Sequence, residues 1–160
     1  MKGLLVTLGL MAPLAGLAEQ SVTMLLPSDQ QNLQHHRDVV TNALSATAKS
    51  QLVTSDGKIN ALNSLIRSHA FDATRTFELQ AMGIVLGDVL VADLGFEWVI
   101  VSDEKGRDPA IRYPGSTVML FPLTMISKRI ERGEDVDVRQ LYDGVAKLAR
   151  EKVDNERRAQ

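Results

Sequence analysis

Residues 81–101 read AMGIVLGDVLVADLGFEWVIV, and the pattern changes character at Gly95. From Ala81 to Ala92 the stretch is apolar nearly all round, with Asp88 standing alone inside it. A helix of that composition is buried on most sides. Gly83 and Gly87 are four apart and share a face, where missing side chains let another backbone come close. Gly95, tolerant of positive φ, ends the helix. Beyond it the period is two: Phe96, Trp98 and Ile100 alternate with Glu97, Val99 and Val101. Both faces of this strand carry apolar residues, so helices are expected to cover much of the sheet.

Working outward toward the C-terminus, Glu104-Lys105-Gly106-Arg107-Asp108 reads as a turn. Ala110 to Tyr113 is a second strand, Pro114-Gly115-Ser116 a second turn, and Thr117 to Phe121 a third strand. Pro122 closes this antiparallel meander. Leu123, Ile126 and Ile130 line a further helix that stops at Gly133. Asp137-Val138-Arg139-Gln140 caps the last one. Its apolar stripe is Val138, Leu141, Tyr142, Val145, Leu148 and Val153, and the charged tail from Glu151 is expected to fray.

Toward the N-terminus, Asp72 or Thr74 caps the central helix. A preceding helix carries Ile59, Leu62, Leu65 and Ile66, and Ser55-Asp56-Gly57 separates it from a first helix spanning Asp29 to Leu52. Ser28 and Gln31 have capping-box spacing at the start of that first helix. The expected architecture is α+β: about five helices packed around a three-stranded antiparallel β-meander.

The first residues have the form of a signal peptide. Met1-Lys2 is positive, Leu4 to Ala18 is uncharged, and Gly16 and Ala18 are small residues ahead of Glu19. The run is short against the roughly 20 residues of a membrane span. The expected division is a signal peptide at 1–18, an exposed leader at 19–27 and one domain at 28–160. Cleavage after Ala18 removes 18 of 160 residues and one lysine, leaving 142 at a formal charge of −3. So mild a charge does not point to nucleic acid or to an anionic membrane surface. The chain has no cysteine, which excludes disulfides, thiolate ligands and lipid attachment at a cysteine.

No catalytic set emerges. His35 and His36 are adjacent rather than three or four apart, and His69 with Asp72 offers two ligands, too few for a metal. No G-x-S-x-G is present. Glu97 and Asp103 share a strand face but stand about 20 Å apart, too far for a glycosidase pair. Glu97 with Glu131, or Asp88 with Glu97, could approach in space. Asp88 needs a partner because a buried carboxylate is costly alone. Arg112, Arg129 and the Trp98 indole are the candidates, with Asp88–Arg129 taken as the buried polar pair. Trp98, Asp103, Arg107, Asp108, Arg112 and Tyr113 form a candidate interaction surface, since Trp, Tyr and Arg are enriched where partners bind. In the plainer reading Trp98 is simply sheet core.

Leu86-Gly87, Gly95-Phe96-Glu97-Trp98, Asp103, Gly106-Arg107, Arg112-Tyr113, Phe121-Pro122 and Ile126-Ser127-Lys128-Arg129 follow one another in an order that resembles a bacterial family catalogued only as a domain of unknown function (number thirty-eight-oh-six). The resemblance runs from Leu86 to Leu141, roughly a third of the chain, and leaves the N-terminal helices outside. It implies a helix, a three-stranded meander and a following helix, and it implies no reaction.

Together these features lead to an exported periplasmic binding or interaction protein without catalytic activity. Its expected partner is one envelope protein, with no nucleic acid, cofactor or metal and no stable membrane insertion after cleavage. A toxin-neutralising immunity protein is one form of this reading. An envelope hydrolase using an Asp/Glu acid–base pair and a structural envelope-stress factor are the alternatives.

Overall fold

Gly95 adopts φ 73° and separates the long apolar helix from a seven-residue strand, as the change of period requires. The computed structural model describes residues 20–159; the expected signal peptide lies outside the described residues. The elements are β1 Ser21–Met24, α1 Pro27–Asn42, α2 Ala46–Ser50, α3 Ser55–Arg67, α4 Thr76–Leu94, β2 Glu97–Asp103, β3 Gly106–Arg112, β4 Met119–Leu120, α5 Ser127–Glu131 and α6 Val138–Ala159. Short 3-10 turns occupy Gln51–Val53 and Pro122–Thr124. The α+β class holds, with six helices and four strands among the described residues rather than about five and three.

The added strand comes from the expected leader. β1 pairs antiparallel with β2, Met24 opposite Val99 and Val22 opposite Val101, and the sheet order is β1-β2-β3-β4. Its side chains are mostly exposed, but its backbone groups are paired. β2 and β3 join through Glu104-Lys105, with Asp103 opposite Gly106, so the turn is tighter than expected. β4 pairs only Ile111 and Arg112. Pro109 therefore lies on an open stretch of β3, where its missing N–H breaks no ladder.

Several helix boundaries differ from expectation, each for a local reason. The first helix stops at Asn42, and Ser45 caps α2 by accepting from the Ala48 N–H at 3.3 Å. Pro27 opens α1, and Asp29 Oδ2 accepts the Leu26 N–H at 2.9 Å, so Ser28 and Gln31 are not the cap. Ser55-Asp56-Gly57 is the first turn of α3 rather than a break; Thr54 caps it through the Gly57 N–H at 3.0 Å. Asp72 Oδ1 accepts the Thr74 N–H at 2.8 Å just ahead of α4. The expected fray from Glu151 is absent: α6 continues to Ala159 with Val153 buried, and Glu156 accepts the Thr117 N–H at 3.0 Å. The expected cap of α6 is present, Asp137 Oδ1 accepting from the Arg139 and Gln140 N–H groups at 2.8 and 3.1 Å.

The main core gathers on α4. Leu79, Ile84, Leu86 and Leu90 are fully buried, and α1 adds Leu33 and Val40, α3 Ile59 and Leu62, and α6 Val138 and Ala146. The sheet contributes Phe96, Trp98 and Ile111 from one face. Gly83 and Gly87 do allow close approach. A Cβ at Gly83 would lie 2.4 Å from the Pro122 carbonyl oxygen, and one at Gly87 would lie 2.6 Å from the Trp98 ring. The other face of the sheet carries a smaller cluster of Val99, Val101 and Ala110, packed with Val22 and Met119. These are all strand residues, so among the described residues the expected helical cover lies on the Trp98 and Ile111 face of the sheet. No helix among them is long and apolar enough to cross a membrane.

Candidate functional site

Asp88 is the one charged residue within the apolar part of α4, and three donors meet it. Arg37 on α1 donates from Nε to Oδ2 at 2.7 Å and from Nη2 to Oδ1 at 2.8 Å, and the Trp98 indole N–H donates to Oδ1 at 3.0 Å. The hydrogen bonds to Asp88 hold the Arg37 guanidinium above its ordinary pKa in spite of partial burial. Arg129 is not the partner, which corrects the expected pair. Its Nη1 donates at 2.6 Å to the Met125 carbonyl one turn away. α1 lies along α4, and that packing brings Arg37 to Asp88. Trp98 is 9% exposed and belongs to the core, with its N–H consumed by Asp88.

The six residues of the expected interaction surface do not converge. Trp98 faces the helices. Asp103 sits at the hairpin turn, its Oδ1 accepting the Lys105 N–H at 2.7 Å. Arg107 reaches α1 and donates to Asp29 at 3.1 Å. Arg112 pairs with Glu97 at 2.8 Å on the face away from Trp98, while its buried Nε finds no acceptor among the described residues. The Tyr113 hydroxyl accepts from Arg157 at 2.5 Å, and its ring meets Phe96 edge-on at 5.6 Å. Arg107 and Asp108 share a concavity.

That concavity is a groove over the open stretch of β3. Two adjoining hollows of about 340 and 350 Å³ share Gln80, Asp108, Pro109 and Leu123. Ile100 and Pro109 bring the sheet to it, and α1 gives Asp29, Asn32 and His36. Phe77 comes from the first turn of α4, and Phe121, Thr124 and Lys128 complete the other end. Phe77 and Phe121 are each 41% exposed. The Phe77 ring lies 4.5 Å from the His36 ring and 5.3 Å from that of His35. His36 Nδ1–H donates to the Asn32 carbonyl at 2.7 Å, which fixes the imidazole against the groove wall. Neither phenylalanine stands out in the sequence as a site residue. The signal available is Phe77 itself, a large apolar residue among Arg75, Thr76, Glu78 and Gln80.

Asp88, Glu97 and Glu131, the carboxylates expected to approach one another, are each held by a donor of their own. Glu97 meets Arg112, Asp88 meets Arg37, and Glu131 accepts from the Thr76 hydroxyl at 3.1 Å. Asp93 accepts from Ser55 Oγ at 2.6 Å and from the Tyr142 hydroxyl at 2.8 Å. Among the described residues, the carboxylates with a displaced pKa are all displaced downward. The Thr74 hydroxyl lowers Asp72, Arg75 lowers Glu78, Arg132 lowers Glu134, the Gln140 backbone N–H lowers Asp137 and the Thr117 hydroxyl lowers Glu156. Among the described residues no three His, Asp or Glu side chains gather into a set able to hold a metal.

Comparison with known proteins places the fold. A crystal structure of a protein from Bacteroides thetaiotaomicron VPI-5482, at 1.50 Å resolution, is similar with a TM-score of 0.66 at 16% identity. The likeness covers 79% of this chain and 47% of that one, so the chain spans less than half the length of its structural relative. No curated protein matches the sequence. The family described as "Domain of unknown function (DUF3806)" matches residues 58–142, from the first turn of α3 into α6, and so begins well ahead of the expected Leu86. The match takes in slightly more than half of the sequence, and the chain belongs to this family.

Proposed function

We propose that the protein is an exported periplasmic binding protein without catalytic activity, holding a segment of one envelope protein in the groove between α1, β3 and α5. One observation carries this reading. Of the large hydrophobic side chains left exposed, Phe77 and Phe121 line the same groove. Scattered surface hydrophobics are ordinary, but two aromatic rings around one concavity are the usual anchors of recognition. Asp108 and Lys128 also line it and form no ion pair among the described residues. The occupant is a segment with apolar side chains between a basic and an acidic residue. Asn32 and Gln80 supply amide groups for its backbone. Export rests on the n-region, the uncharged run and the small residues before Glu19.

The test is crosslinking in the intact envelope from a photoreactive residue at Gln80, with Leu148→Ala as an exposed control away from the groove. The expected result is one crosslinked protein, lost in Phe77→Ala/Phe121→Ala and kept in Leu148→Ala. N-terminal sequencing of the periplasmic form should begin at Glu19. A crosslink indifferent to the double substitution counts against the groove, and a chain retaining residues 1–18 counts against export.

A further inference from the structure

A second cleft, of about 500 Å³, lies on another side of α1 and is bounded by Leu25, Gln30, Gln31, Gln34, Arg37 and Trp98. We propose that it binds a neutral saccharide. The inference does not rest on the groove reading, because the two concavities have only Leu33 in common.

The lining sets the chemistry. Gln30, Gln34 and Arg37 recur at helical spacing along α1, so their polar ends form one row. The side chains of Gln30 and Gln31 make no hydrogen bond to another described residue, and Gln34 spends one donor on Asp38 at 2.8 Å. Each amide offers both a donor and an acceptor, which is what a hydroxyl or acetamido group requires. Arg37 gives Nε and Nη2 to Asp88, leaving Nη1 as a donor held in a fixed direction. Asp88 balances its charge, so the cleft does not select an anion. Half-buried Leu25 and the narrow exposed edges of Leu33 and Trp98, 3% and 9% of their surfaces, supply apolar contact for the C–H groups of a sugar ring. The volume lies within the roughly 300–1,000 Å³ of small-molecule sites. A neutral ring with hydroxyls at its edge and C–H groups on its faces matches this combination.

Trp98 is the only tryptophan, so its emission reports on the cleft directly. The purified protein is titrated separately with maltotriose and with tri-N-acetylchitotriose, following both emission and heat. These two probes distinguish a site for hydroxyls alone from one that prefers acetamido groups. A saturable response to either supports the proposal, provided that Gln30→Ala/Gln34→Ala weakens it about tenfold, the loss of one to two hydrogen bonds. Both glutamines are exposed, and unchanged emission and melting of the unliganded double variant establish that the fold is intact. Neither heat nor an emission change with either sugar overturns it, and so does binding of equal strength in the double variant.

Discussion

Arg37 holds both carboxylate oxygens of Asp88 across a separation of 51 residues, at 2.7 and 2.8 Å, and Trp98 shares one of those oxygens. The link ties α1 to α4 and α4 to β2. Asp88→Asn keeps an acceptor for Trp98 but loses the charge that Arg37 meets. It should cost about 2 kcal/mol, as for other hydrogen bonds to charged groups. Arg37→Gln should cost a similar amount, and the double variant less than the sum, because both remove one interaction. Thermal melts of the three variants decide this; strict additivity would refute the coupling.

Glycine substitutions should change stability in opposite directions. Gly83→Ala drives a methyl group to within 2.4 Å of the Pro122 carbonyl oxygen and 2.6 Å of that of Leu123, both backbone atoms. It should destabilise by about 1–3 kcal/mol, the range for overpacked cores. Gly144 lies inside α6, and a methyl group added there would meet nothing within 4 Å. Gly144→Ala should therefore stabilise by about 0.5–1 kcal/mol through helix propensity alone. Urea titrations of both variants give the two signs, and a stabilised Gly83→Ala would show that α4 and the Pro122 turn are not in close contact.

Alkaline pH should act through Tyr142. Burial, then its hydrogen bond to Asp93, pushes the hydroxyl up to about 12. A raised pKa means that the folded state keeps its proton after the unfolded chain has lost it near 10. The stabilisation is complete below pH 10 and is lost as pH rises toward 12. Tyr142→Phe cannot ionise, so its stability should fall less steeply over that interval than that of the wild type. Parallel pH–stability curves for the two proteins would exclude this role.

What could be read from the sequence follows how local each determinant is. The switch at Gly95 was legible because α4 and β2 each carry their own periodicity. The close approach at Gly83 was legible because only a missing side chain explains a glycine pair in a packed helix. β1 was not, since Ser21-Val22-Thr23-Met24 alternates polar and apolar over only four residues, too short a run to mark a strand, and its pairing depends on the edge of β2. Asp88 declared its need for a cation, but not which one. Arg37 and Arg129 are equivalent as letters, and only the packing of α1 along α4 chooses between them. The groove was hidden for the same reason. Phe77 and Phe121 are 44 residues apart, and single exposed hydrophobics are common. The short β4, which leaves Pro109 uncovered, is what opens the space between them.

The tail of α6 gives the last prediction. Its charged composition suggests fraying, yet Val153 is buried, Glu156 accepts from the Thr117 N–H and hydroxyl, and Arg157 donates to Tyr113. Removing residues 153–160 should cost roughly 1.5–3 kcal/mol from the burial of Val153 alone. The acid limb should change as well. Hydrogen bonds from Thr117 hold Glu156 below its ordinary value of 4.5, so its contribution is present above that pH and is lost as pH falls through the depressed value. The truncated protein should thus melt several degrees lower at neutral pH and lose less stability than the full chain on acidification. Equal melting temperatures at neutral pH would mean that the tail contributes nothing to the fold and that these contacts are surface decoration.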